Sequence, residues 1–202
     1  MGNPDLWTVP KGPLASFGGG FGRKVKEDAQ QSGIPVFPDF SETCCVTVAS
    51  DYGGQEKTSA FETYSFLLAD LDVRRSPKWY SNRLAWRGCF LPDGRRMTYK
   101  DLDRDKYRDK ALTSYLRAVD SIEGMLVTVA VHKEIESLFA NTSIQVSELL
   151  KEIPKKTQER ILRILHWLSF FVAGLTREKQ DVEWITDDDD NVANEKRVKQ
   201  IE

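Results

Sequence analysis

The stretch from Cys44 to Leu71, CCVTVASDYGGQEKTSAFETYSFLLADL, leaves the chain few ways to fold. Val46, Val48 and Ser50 alternate with Thr47, Ala49 and Asp51, the two-residue period of a strand. Gly53 and Gly54 then offer the positive φ that a tight connection asks for, with Asp51 and Tyr52 just ahead. From Ala60 a second run brings Phe61, Tyr64, Phe66, Leu67 and Leu68, residues that favour strands. The expectation is an antiparallel hairpin with Asp51 at the end of its first strand. A carboxylate so placed can be aimed at a metal ion, or it can be a turn former ahead of Gly-Gly.

The chain has 202 residues, enough for one good-sized domain or a domain with an arm. A net charge of -2, from 29 basic and 31 acidic residues, gives no global field that would attract nucleic acid. That argues against a pure nucleic-acid-binding module. It leaves room for a nuclease, whose acidic site offsets a basic rim. No apolar run approaches the ~20 residues needed to cross a bilayer. The opening MGNPDLWTVPKGP lacks a signal-peptide core, and Leu6 stands where a myristoylation motif wants Ser or Thr. The expected location is therefore the cytoplasm, with no membrane partner. Cys44, Cys45 and Cys89 fit neither zinc spacing nor a disulfide framework, and read as buried or idle thiols.

Residues 1–42 are rich in Gly and Pro and read as an arm, able to dock on a protein partner. GGGFGRK within it is not a phosphate loop, because Arg23 follows Gly22 where Lys and then Ser or Thr are required. Residues 43–202 read as a single α/β domain. Asp70 to Pro92 reads as a connection in which Arg74, Arg75, Arg83 and Arg87 lie among Trp79 and Trp86, the mixture that grips and stacks on nucleic acid or merely covers a core edge. Arg95 to Lys100 reads as a short strand or loop. Leu102 to Val119 has helical periodicity behind the carboxylates of Asp101, Asp103 and Asp105. Met125 to Val131, MLVTVAV, reads as a central strand. Lys133 to Pro154 reads as helical in pieces, and Thr157 to Ala173 as a strong amphipathic helix ended by Gly174. Asp181 to Thr186 is a last short strand. It runs straight into four aspartates, Asp187 to Asp190.

Two acidic features thus follow strands: Asp51, and the quartet with Asp187, Asp188 and Asp189. If their strands are neighbours, these carboxylates fit Mg²⁺ or Mn²⁺, with water or phosphate completing the shell. Two ions about 4 Å apart would activate water and steady the leaving oxygen of a phosphodiester. A solvated acidic loop is the plainer reading. An EF-hand loop starting at Asp187 fails, because Val192 replaces the needed Gly and Val198 the closing Glu. The Asp187-x-Asp189 pair is too short to single out a nucleotide-sugar transferase. His132 and His166 have no partner in the sequence that would make either a catalytic base.

Strand–Asp51–turn–strand, Tyr99-Lys100 opening a helix, a strand ending in Val131-His132-Lys133, then helix, strand and Asp187-Asp188 resembles the DUF3800 group of ribonuclease-H-like, integrase-type nucleases of bacteria. The resemblance covers about Thr43 to Asn194. It implies a ribonuclease-H-like mixed sheet opened by an antiparallel hairpin, with helices packed on it. It also implies metal-dependent hydrolysis of nucleic acid in a setting of defence or mobile elements, or a non-catalytic binding or assembly subunit of the same fold. On that resemblance Asp51, Asp187, Asp188 and Asp189 are the metal ligands, and Asp51, Lys100 and Asp187 act in catalysis, with Lys100 near the site. Arg87, Arg95, Arg96 and Lys100 are the candidate nucleic-acid contacts. The first strand of such proteins carries Asp-Glu-Ser after the Asp, where Tyr52-Gly53-Gly54 follows Asp51 here, and Pro38-Asp39-Phe40-Ser41-Glu42 is a competing candidate on a poorer strand. Such proteins also have a further acid on a helix after the last strand, for which Glu195 is the weak stand-in, so the domain reads as incomplete at its C-terminus.

Overall fold

The computed structural model describes residues 37–74, 76–139 and 153–186, with Trp7 and six positions between 20 and 31. The fold is α/β. Four strands, β1 (Cys45–Gly53), β2 (Phe61–Ala69), β3 (Gly124–His132) and β4 (Asp181–Thr186), form one sheet in the order β3-β2-β1-β4. The α-helices whose residues are fully described are α1 (Pro77–Phe90), α2 (Lys106–Val119) and α3 (Lys155–Leu175). The chain divides into two compact units, residues 1–68 with 125–202, and residues 69–124.

In the first unit the sheet is mixed. The β1–β2 connection is far too short for a parallel crossover, so that pair is antiparallel. Between β2 and β3 the partners run in opposite senses. Lys133 N–H donates to Ala60 O at one end, and the Ser65 and Thr128 hydroxyls meet at 2.9 Å further along. β4 returns parallel to β1, with Cys45 opposite Asp181, Val48 opposite Trp184 and Ser50 opposite Thr186. Of the two turn glycines only Gly54 has positive φ, +76°. A Cβ there would collide with the Phe61 carbonyl, so the hairpin requires glycine at that point.

Strand alternation selects the buried face. Val46 and Val48 of β1, Tyr64, Phe66 and Leu68 of β2 and Val131 of β3 pack on Ile164, Trp167, Phe170 and Phe171 of α3. Each large apolar side chain removed from water here contributes about 1.5–3 kcal/mol. β3 is an edge strand, not the central one its apolar run suggests. Met125, Val127 and Val129 meet the core, while Leu126 on the other face is 69% exposed. A half-buried strand can carry apolar residues on its wet side, and that defeats a reading from hydrophobicity alone.

The Gly/Pro-rich arm supplies core. Trp7 is buried, stacked on Phe37 at 5.2 Å and tilted against Phe170 at 5.2 Å. Gly174, read as the terminator of α3, lies inside the helix, which continues to Leu175. Its role is spatial: a Cβ on Gly174 would stand 2.5 Å from the Trp7 ring.

The second unit is where the sequence reading goes furthest astray. Asp70 to Pro92 is not a mere connection, because Pro77–Phe90 is helical. Of this helix only Trp86 is buried, so it shows little amphipathic periodicity. The signal available was Ser76-Pro77, a proline suited to the first helical turn. α2 begins at Lys106, four residues later than expected, because Asp105 caps it by accepting from Tyr107 N–H and Arg108 N–H. Trp86, Leu91 and Ala118 form a small core, with Tyr115 set edge-on to Trp86 at 5.3 Å. Arg95 to Thr98 is irregular, followed by a 3-10 turn at Tyr99–Asp101. Asp70 N–H donates to Glu123 O where this unit leaves β2 and returns to β3.

Candidate functional site

Asp51 is the seventh residue of β1 rather than its last, and its side chain is exposed. Its carboxylate accepts the Tyr52 N–H at 3.0 Å. Alternation sends Ser50 and Tyr52 to the α3 face and Asp51 to the other. On the α3 face the parallel strands end in a hydroxyl cluster. Trp184 Nε1 donates to Ser50 Oγ at 2.9 Å, Ser50 Oγ meets the Tyr52 hydroxyl at 2.8 Å, and Thr186 Oγ1 is 3.3 Å from that hydroxyl. The quartet acids Asp187, Asp188 and Asp189 lie outside the described residues, as does Glu195. Among the described residues no three His, Cys, Asp or Glu side chains gather as a metal site.

A polar cluster that the sequence did not announce lies at the same end of the sheet. Arg163 of α3 is buried, its side chain only 5% exposed. Its guanidinium pairs with Glu159 at 2.9 Å and Glu62 at 3.3 Å, and donates to the carbonyls of Ile135 and Glu136. The Tyr64 hydroxyl donates to Glu62 at 2.8 Å. Desolvation, then the hydrogen bond to Glu62, pushes the Tyr64 phenol well above its usual range. Desolvation alone would lower Arg163, but its bonds to Glu159 and Tyr64 outweigh burial and raise it. Glu62 and Arg163 are 101 residues apart, so no local motif could reveal them; Glu159 and Arg163, one helical turn apart, were the available half of the signal.

This network floors a cavity of about 720 Å³ whose walls include Lys133, Lys155, Lys156 and Arg160. Lys133 Nζ donates to the Glu56 carbonyl, tying the wall to the β1–β2 turn. The Arg160 guanidinium lies 5.9 Å from the Tyr52 ring centroid, next in sequence to Asp51. The cavity therefore sits at the end of the sheet where β1 finishes and β2 starts.

The remaining candidate residues belong to the second unit. Arg87 donates to Gly94 O at 2.6 Å and lies over the Trp86 ring. Arg95 pairs with Asp93 at 2.9 Å and Asp105 at 2.8 Å. Arg96 is exposed, and its carbonyl accepts from Arg108. Lys100 is exposed in the 3-10 turn. His132 lies against Phe61 and accepts the Glu134 N–H, while burial pushes the His166 imidazole below its usual value. The three cysteines are free and exposed, which removes the buried alternative of the buried-or-idle reading. No described helix is long and apolar enough to cross a membrane. No family model, curated protein or solved structure matches the chain.

Proposed function

We propose that the chain is a metal-dependent phosphodiesterase acting on nucleic acid, built on a ribonuclease-H-like fold. One observation carries the reading: β4 lies parallel and adjacent to β1, with Ser50 opposite Thr186. Asp51 follows Ser50, and Asp187 follows Thr186 by one peptide bond, about 3.8 Å between Cα atoms. Asp51 and Asp187 therefore follow paired positions of neighbouring strands in the sequence. The strand order, antiparallel through β3-β2-β1 and parallel at β1–β4, is compatible with that fold.

Asp51 with Asp187 and Asp188 or Asp189 would hold Mg²⁺ or Mn²⁺, hard cations that match carboxylate oxygen. The bound metal would supply an activated water and charge neutralisation at the leaving oxygen. Asp51→Asn tests this directly. Hydrolysis of labelled DNA or RNA should fall ~100-fold or more, with metal binding by calorimetry weakened in parallel. A variant that binds metal and cuts like the parent overturns the reading.

A second reading, a non-catalytic subunit that binds nucleic acid, is favoured by the pairing of Glu62 and Glu159. Two of the described acids at this end of the sheet are thereby committed to Arg163. Oligonucleotide binding without any heat of Mn²⁺ binding would select it.

A further inference from the structure

The cavity beside α3 carries an imbalance of charge. Arg163 on its floor is answered by Glu62 and Glu159. Over the whole lining five cations, Lys133, Lys155, Lys156, Arg160 and Arg163, stand against the three carboxylates of Glu62, Glu136 and Glu159. Lys155 and Lys156 form no ion pair with any described residue. A volume of about 720 Å³ lies within the range of organic ligand pockets and far exceeds one small ion. The walls come from separated parts of the chain: the start of β2, the residues after β3, and α3. Arg160, packed over Tyr52, carries the cationic wall to the neighbour of Asp51.

We propose that this cavity seats the sugar–phosphate backbone of a nucleic-acid strand that passes over the end of the sheet to Asp51. Lys155 and Lys156 are its two main phosphate contacts. Arg163 contributes shape only, its charge being spent inside the protein. The assignment rests on the hydrolase reading for the destination of the strand, but its binding step needs neither metal nor cleavage. It also moves the main electrostatic grip from the arginines around Trp86 to a surface whose lysines have no described acidic partner.

The test is fluorescence anisotropy of the full chain with labelled single-stranded oligonucleotides, in EDTA, across a salt series. The wild-type chain should bind, with log Kd rising linearly with log salt. Lys155→Gln with Lys156→Gln should weaken binding about tenfold or more at low salt and reduce the magnitude of that slope by about 1.4, the value for two lost single-strand phosphate contacts. Lys110→Gln on α2 should change neither. Because EDTA removes the divalent ions that hydrolysis would need, failure of hydrolysis and failure of binding are read separately. The proposal is overturned if the wild-type chain binds no oligonucleotide, or if the double variant keeps the parent affinity and slope. It is also overturned if a mononucleotide competes as well as the strand does.

Discussion

The two units use cations in opposite ways. In residues 69–124, arginines are tied to the unit's own acceptors. Arg95 and Arg108 converge on Asp105, Arg108 reaches Asp101, Arg74 pairs with Asp72, and Arg87 holds the Gly94 carbonyl. That unit's apolar cluster is small, and these bonds link its loops to its helices. The sheet unit has a large aromatic core, and there a single arginine, Arg163, is buried against two glutamates while Lys155 and Lys156 line open space. A charge answered inside the chain serves the fold. One left facing a cavity is available to a ligand.

The sharpest way to break this contrast is Arg163→Met. It strands Glu62 and Glu159 in a largely buried site and should cost about 3–5 kcal/mol in urea denaturation. Adding Glu62→Gln and Glu159→Gln should return much of the loss. If Arg163→Met alone is neutral, the buried network has no structural role. Gly174→Ala should come next, at about 1–3 kcal/mol from overpacking against Trp7. In an ordinary helix interior the same change stabilises by about 1 kcal/mol, so the sign itself is the reading, and Trp7→Leu should restore tolerance.

Acid should separate the units further. Burial holds the His166 imidazole low, so the unfolded chain takes up that proton first. The sheet unit should lose stability as pH falls below about 6.5, the ordinary histidine value. Desolvation pulls the Asp105 carboxyl up, but the Tyr107 and Arg108 N–H groups with the Arg95 and Arg108 charges outweigh it and hold it below its usual range. Its contribution is present above about pH 4 and disappears as pH falls through the lower folded value. Region-resolved hydrogen exchange should therefore show residues 153–175 loosening before 95–119. His166→Phe should flatten the first phase and Asp105→Asn the second. The smallest effect belongs to Lys155→Gln with Lys156→Gln, whose stability should stay within about 0.5 kcal/mol of the parent. A large loss there would mean these lysines serve the fold after all.

The sheet was legible because its strands announce themselves locally. Alternation gave β1, the apolar run gave β3, and DVEWIT gave β4 to the residue. The helix of residues 155–175 was equally plain from its apolar stripe. What sequence concealed is whatever depends on a partner far along the chain. Trp7 buries itself by meeting Gly174, and Glu62 meets Arg163 across a hundred residues. β3 is an edge because of strand order, which no run of its own residues encodes. α1 escaped because a helix that buries one tryptophan leaves no stripe to see. For the site, the sequence reading put Asp51 at the end of its strand, where the structure has it seventh of nine and exposed, whereas the cavity and its lysines were not singled out, since five cations scattered over 133–163 look like an ordinary solvated surface.

The hydrogen bond from Asp70 N–H to Glu123 O, 3.1 Å long, has a use beyond architecture. It means that the fifty-odd residues between β2 and β3 start and finish side by side, like the two ends of a ring held in a clasp. The entropy of closing that ring grows only slowly with its length, so a longer or shorter passenger would meet nearly the same cost. Replacing it with an Asn-Gly turn should leave β2 and β3 a plain hairpin. Exchanging this passenger for another is thus expected to leave the register of β2 and β3 unchanged.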